Sequence, residues 1–122
     1  MPIISLDVYA PFEPTLPELA AQILQSNAMQ HLHFDPGLTT VRISFASSND
    51  QWFQDSRLLN RQQEPTFHAN TIIGNKTATN LEIAYFVTET RNALEQLFSQ
   101  IFPGTQYPQL PDRNKVTVVE MP

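Results

Sequence analysis

One short grammar is written twice in these 122 residues, and it restricts the fold more than any single motif. Each half begins with a proline heading a β-rich run, continues through a Thr-x-x-Glu helix start, and closes on a Phe/Pro/Gly stop. In the first half these are Pro2, Thr15-Leu16-Pro17-Glu18 and Phe34-Asp35-Pro36-Gly37. In the second they are Pro65, Thr79-Asn80-Leu81-Glu82 and Phe102-Pro103-Gly104, in the same order at a spacing of 63–68 residues. An internal duplication is the expectation.

The hydrophobic periods agree. Ile4, Leu6 and Val8 alternate against Ser5, Asp7 and Tyr9, the two-residue period of a strand with one buried face. Both Thr-x-x-Glu segments read as capping boxes, in which the threonine accepts from a first-turn amide and the glutamate reaches back. Leu16, Leu19, Ala20, Ile23, Leu24 and Met29 or Leu32 follow a helical stripe, and residues 38–47 alternate again through Val41, Ile43 and Phe45. In the second half a strand runs from Pro65 to Ile73. A longer helix carries Ile83, Phe86, Val87, Leu94, Leu97, Phe98 and Ile101, and Lys115–Met121 closes the chain as a strand.

Two β-α-β units with right-handed crossovers put both helices on one face of the sheet. The expected class is α+β (a two-layer α/β arrangement), with a four-stranded mixed sheet. A single domain over 1–122 is expected, built from halves at about 1–60 and 65–122. The opposite sheet face is left uncovered, with Ser5, Arg42, Ser44, His68 and Thr117 on it. So half-polar a face in so small a domain predicts packing against further copies of the chain.

Composition removes several function classes. A net charge of −5 with only seven Lys and Arg gives no means of neutralising phosphates, so no nucleic-acid partner is expected. No cysteine means no disulfide, no thiolate metal site and no cysteine nucleophile. No run approaches the roughly 20 apolar residues that span a bilayer, and no signal peptide is visible, so a cytoplasmic protein with no membrane partner is expected. His31, His33 and His68 form no metal-ligand pattern, and no phosphate-cradling glycine loop or nucleophile elbow occurs. No metal and no cofactor are expected.

Three places can carry chemistry. Methionine before a small residue is normally removed, which would leave Pro2 as a free secondary amine. An α-amino group titrates at roughly 7.7–8.0, so a modest downward shift makes it a general base near neutral pH. The plainer alternative is that Pro2 only starts an edge strand. Arg42 stands mid-strand between apolar neighbours, where a guanidinium can grip a carboxylate or stabilise an enolate, or be an ordinary surface cation. Trp52-Phe53 is an aromatic pair in a polar loop, able either to wall a small pocket or to anchor the loop. Arg57 and Arg61 read as solvated.

Pro2-Ile3-Ile4, the strand Leu38-Thr39-Thr40-Val41-Arg42-Ile43, and Phe53 eleven residues after Arg42 together resemble the tautomerase superfamily, the group of 4-oxalocrotonate tautomerase and macrophage migration inhibitory factor. The doubled length resembles its fused members. The resemblance implies a homotrimer and cofactor-independent proton transfer on a small 2-oxo acid or its enol, a small-molecule carboxylate. Pro2 would shuttle the proton, Arg42 would hold the carboxylate, and Phe53 with Trp52 would line the site. Phe12 stands where many members carry a further arginine, and Thr117 is read as standing where a second copy of Arg42 would be. Two alternatives stay open: a catalytically degenerate tautomerase-fold protein serving as an oligomeric binding or structural module, and a ferredoxin- or ACT-like small-molecule-binding domain with an antiparallel sheet order.

Overall fold

The computed structural model describes residues 3–74, 76–104 and 113–122. The first unit is β1 (Ile3–Tyr9), α1 (Leu16–Leu32), a 3-10 turn at Pro36–Leu38 and β2 (Thr40–Phe45). A two-stranded arm follows, β3 (Phe53–Gln54) and β4 (Arg57–Leu58), and the second unit is β5 (Thr66–Gly74), α2 (Asn80–Ile101) and β6 (Lys115–Met121). The sheet order is β2-β1-β5-β6, parallel within each unit and antiparallel at the central β1/β5 seam. This is the expected α+β class with a four-stranded mixed sheet. The parallel outer pairs overturn the ferredoxin- or ACT-like alternative, which requires antiparallel neighbours.

The core lies between the sheet and the two helices. Ile4, Leu6 and Val8 of β1 face Thr71, Ala69 and Phe67 of β5 across the seam, and all six are buried. From α1 the buried residues are Leu16, Ala20, Leu24, Ala28 and Leu32, four residues apart along one stripe. Leu32, not Met29, therefore completes the stripe, while Leu19 and Met29 lie on its exposed flank. From α2, Phe86, Thr90, Leu94, Leu97 and Phe98 turn inward, and Phe98 packs on Phe67 with ring centroids 5.0 Å apart. A polar seam joins the helices: Asn27 donates to Thr90 at 3.2 Å, and His31 and His33 meet Glu89 and Glu82 at 2.6 and 2.5 Å.

The two helix starts differ. Thr79 and Glu82 form the full reciprocal capping box, at 3.1 and 2.8 Å. Thr15 makes no cap bond; its backbone is already helical (φ −82°, ψ −18°) and its hydroxyl donates to Glu13 instead. A capping threonine must be extended for its oxygen to reach the first-turn amides, and the turn from Glu13 to Leu16 forbids that here. The first helix also stops earlier than Gly37: His33 takes the left-handed conformation itself (φ 61°, ψ 32°), and Phe34 N–H closes back on Ala28 at 3.2 Å.

Candidate functional site

Everything on the uncovered sheet face falls into rows set by strand register. Thr40, Ile3, Ile72 and Val119 form the row nearest the start of β1; Arg42, Ser5, Asn70 and Thr117 form the next; Ser44, Asp7, His68 and Lys115 form the third. The face is uncovered by any described residue along its first two rows, and the loop after β2 folds over its far end. The two ends therefore offer different chemistry.

At the near end, Pro2 lies outside the described residues; it is bonded to Ile3, whose partners are Thr40 and Ile72. Arg42 stands one row in. Its guanidinium is exposed on an edge strand and makes no hydrogen bond or ion pair among the described residues. A rigid strand that presents an uncommitted guanidinium holds a ready carboxylate ligand. Beside this end a cavity of about 410 Å³ opens, lined by His33, Phe34, Ile72, Ile73, Thr77 and Met121. The first turn of α2 faces the same end, and Glu82 there is pulled down to about 2, first by the Thr79 backbone N–H and then by His33. Phe12 turns away from this end, its ring edge-on to Phe45 at 5.0 Å and largely exposed.

The far end is built around Trp52. Its ring stacks on Tyr9 with centroids 5.2 Å apart and 10° between planes, and sits 4.7 Å from the His68 ring. Arg61, expected to be solvated, instead places its guanidinium 4.7 Å over the Tyr9 ring and donates to the carbonyls of Ala46 and Ser47 at 3.0 and 2.5 Å. Arg57 likewise grips Glu64 bidentately at 2.9 and 2.6 Å, and Asn60 N–H donates to the same carboxylate. The Arg57 hydrogen bonds hold the Glu64 carboxyl below its usual range, against the opposing effect of burial. These bonds turn a polar loop into a fixed arm. No residue spacing announced them, because the partners are backbone carbonyls and a glutamate that only the folded loop brings near.

The arm and the third row enclose a cavity of about 490 Å³, walled by Trp52, Phe53 and Leu59 and bearing His68, Arg113 and Lys115. Removal of water from one side of the His68 ring lowers its pKa, and Lys115 adds to that; hydrogen bonding to the Arg113 backbone and the charge of Asp7 oppose it. Phe53 remains 61% exposed. Sequence reasoning brought Trp52 and Phe53 forward but passed over Lys115 and Arg113, which nothing but their place at the head of β6 distinguishes.

The sequence-predicted residues thus occupy both ends. Six residues of strand separate Ile3 from Tyr9, about 20 Å at roughly 3.3 Å per residue, so within one chain Trp52 and Phe53 stand far from the residue bonded to Pro2. Among the described residues no group of histidine and carboxylate side chains is arranged to hold a metal ion, and no helix is long and apolar enough to cross a membrane.

Comparison with solved structures decides what fold this is. A structure of Pt0534 inactivated by 2-oxo-3-pentynoate aligns over 98% of this chain and 85% of its own, with a TM-score of 0.72 and 7% identity. A fused 4-oxalocrotonate tautomerase solved as a symmetric trimer aligns over the same shares, with a TM-score of 0.70 and 11% identity. The chain has the tautomerase-superfamily fold. Macrophage migration inhibitory factor from Toxoplasma gondii aligns over 98% of this chain and 89% of its own, at 0.63 and 9%. No family model and no curated protein matches the sequence. Identities this low speak for the arrangement of strands and helices, and the tautomerase fold carries several reactions.

The sheet also corrects the reading of the second half. If Pro65 is the counterpart of Pro2, then His68 is the counterpart of Ser5, and the residue paired with His68 is Lys115, as Arg42 is paired with Ser5. Lys115, not Thr117, stands in the place of Arg42. The connection between α2 and β6 is not the length of that between α1 and β2, so counting along the chain misplaced the match by two residues.

Proposed function

We propose that the protein is a cofactor-independent tautomerase acting in the cytoplasm on a small 2-oxo acid or its enol, with the amine of Pro2 transferring the proton. In its neutral form the amine takes a proton from carbon next to the carbonyl; as the ammonium it returns one to the neighbouring position of the enol. Nothing is oxidised or reduced. Arg42 binds the carboxylate and offsets the enolate charge as it develops. The observation that carries this reading is Arg42 itself, an uncommitted guanidinium on a strand, one row from the start of β1 on the uncovered face.

Trp52 and Phe53 stand about 20 Å from Ile3 in their own chain. That separation favours a site shared between subunits, in which the aromatic pair of one chain excludes water from the amine of another. The exposed apolar residues Ile3 (46%), Val119 (45%) and Met121 (50%) favour the same homotrimer, since they lie on the face that a neighbour would cover.

Untagged protein should have the mass expected after loss of Met1 and should ketonise phenylenolpyruvate with no added cofactor. Pro2→Ala should lower kcat by at least about a hundredfold, the usual contribution of a positioned acid or base. Arg42→Ala should raise KM by about tenfold or more. A retained Met1, or full activity in Pro2→Ala, overturns the enzyme reading. It would leave the second one, a degenerate member acting as an oligomeric binding or structural module, which the presence of Phe12 in place of a second arginine favours.

A further inference from the structure

The far-end cavity lies about 13–20 Å along β1 from Ile3, and the reaction proposed for Pro2 within one chain does not use it. Its polar groups come from three separate parts of the chain. His68 and Lys115 are register partners on β5 and β6, so both side chains leave the sheet on the same face and side by side. Arg113, two residues before Lys115, has its side chain only 1% exposed and still lines the cavity, with the Glu64 carboxylate 3.9 Å away. Glu64 is at the same time held bidentately by Arg57. The Lys115 ammonium makes no hydrogen bond or ion pair among the described residues. Asp55 is the sole carboxylate among the described residues of the lining.

The arm supplies the complementary half. Gln54 Oε1 is fully buried, lines this cavity and accepts no hydrogen bond among the described residues. A buried acceptor left unmatched costs about 1–3 kcal/mol, and a bound donor removes that cost. Trp52, Phe53 and Leu59 provide an apolar wall that fits the carbon body of a small molecule.

From this we infer that the cavity is a second ligand site, for a small organic anion that carries a hydroxyl or amide donor beside its carboxylate. The carboxylate sits against Lys115 and the Arg113 guanidinium with His68 alongside, the donor reaches Gln54 Oε1, and the carbon skeleton lies along Trp52. The site contains no free amine and is built from one chain, so it binds without transferring a proton and does not depend on whether Pro2 is exposed.

Trp52 is the single tryptophan of the chain, so its fluorescence reports on this cavity. Titration of the full chain with lactate should give a saturable change. Propionate, which lacks the hydroxyl, should bind more weakly, and lactamide, which lacks the charge, should give none. Lys115→Met, an exposed position that keeps the side-chain length, should weaken lactate binding by about tenfold to a hundredfold, the range for a charge-assisted hydrogen bond. Gln54→Leu should erase the preference for lactate over propionate. Pro2→Ala and Arg42→Ala should bind lactate as the unaltered protein does. No saturable response to lactate, or equal affinity in Lys115→Met, overturns the assignment. A response lost in Pro2→Ala also overturns it, because the cavity would then be an annex of the proline centre; failure of ketonisation with lactate binding intact would count against the proline reading alone.

Discussion

Single residues in this protein act according to partners that lie far along the chain. Thr15 and Thr79 open the same four-residue motif, yet only Thr79 caps a helix. Thr79→Ala should therefore cost about 1 kcal/mol, and Thr15→Ala only a few tenths, read from the urea midpoints of the two variants. Glu82 is the other half of that cap, and its carboxyl falls from an ordinary 4.5 to about 2. A carboxyl depressed on folding stabilises the native state above its unfolded value and loses that contribution as it becomes protonated. The lead in stability of the unaltered protein over Glu82→Gln should thus be full above about pH 4.5 and shrink as the pH falls toward 2. Denaturation midpoints at several pH values measure it; a constant difference would contradict the assignment. His33 illustrates the same dependence on distant partners. It sits in the left-handed region, which costs a residue with a Cβ roughly 1–2 kcal/mol, and that conformation accompanies its contact with Glu82 across the helix seam.

Among the elements, β1 and the arm of residues 53–58 carry most of what the site needs. β1 is legible at once, because its alternation is strict and its buried residues meet buried residues on β5. The arm is not, because its two-residue strands carry no period. It is held by Arg57 and Asn60 on Glu64, by Arg61 on the carbonyls of Ala46 and Ser47, and by the Trp52 stack on Tyr9. Glu64 is 5% exposed and takes bonds from two sides. Its replacement by alanine leaves the Asn60 amide and two guanidiniums without their acceptor, at a cost of about 1–3 kcal/mol once the exposure of Arg57 is discounted. The expected signature is local: faster amide exchange in residues 52–64, with β1 and β5 protected as before. In contrast, Phe98→Ala opens the centre of the core between α2 and β5 and should cost about 3–5 kcal/mol in a global unfolding experiment.

At the scale of the whole molecule, the question is what covers the uncovered sheet face. Its first row is apolar, through Ile3, Ile72 and Val119, and Met121 extends it along β6. Exposed apolar residues in a contiguous row mark an interface. Val119 is on the outer strand and contributes nothing to the buried core, so Val119→Asp should leave the fold intact while shifting the sedimenting species from trimer to monomer. If ketonisation is lost with the trimer while Trp52 still responds to lactate, the shared proline site and the single-chain anion site are separated in one experiment. An unchanged trimer in Val119→Asp would place the interface elsewhere.

The amino-acid sequence by itself determined the two β-α-β units, the mixed sheet with both helices on one face, and the side of each strand that is buried. These follow from period and from short-range punctuation, which are local properties of the chain. It also singled out Arg42, because a cation in an apolar strand is visible without knowing its neighbours. Tertiary structure alone decided that Lys115 matches Arg42, that Arg61 and Arg57 hold an arm, and that Trp52 and Phe53 stand at the far end of β1 from Ile3. Each of those depends on strand register and on pairs dozens of residues apart. Register is set by the sum of all contacts across the sheet, so no single stretch of sequence contains it.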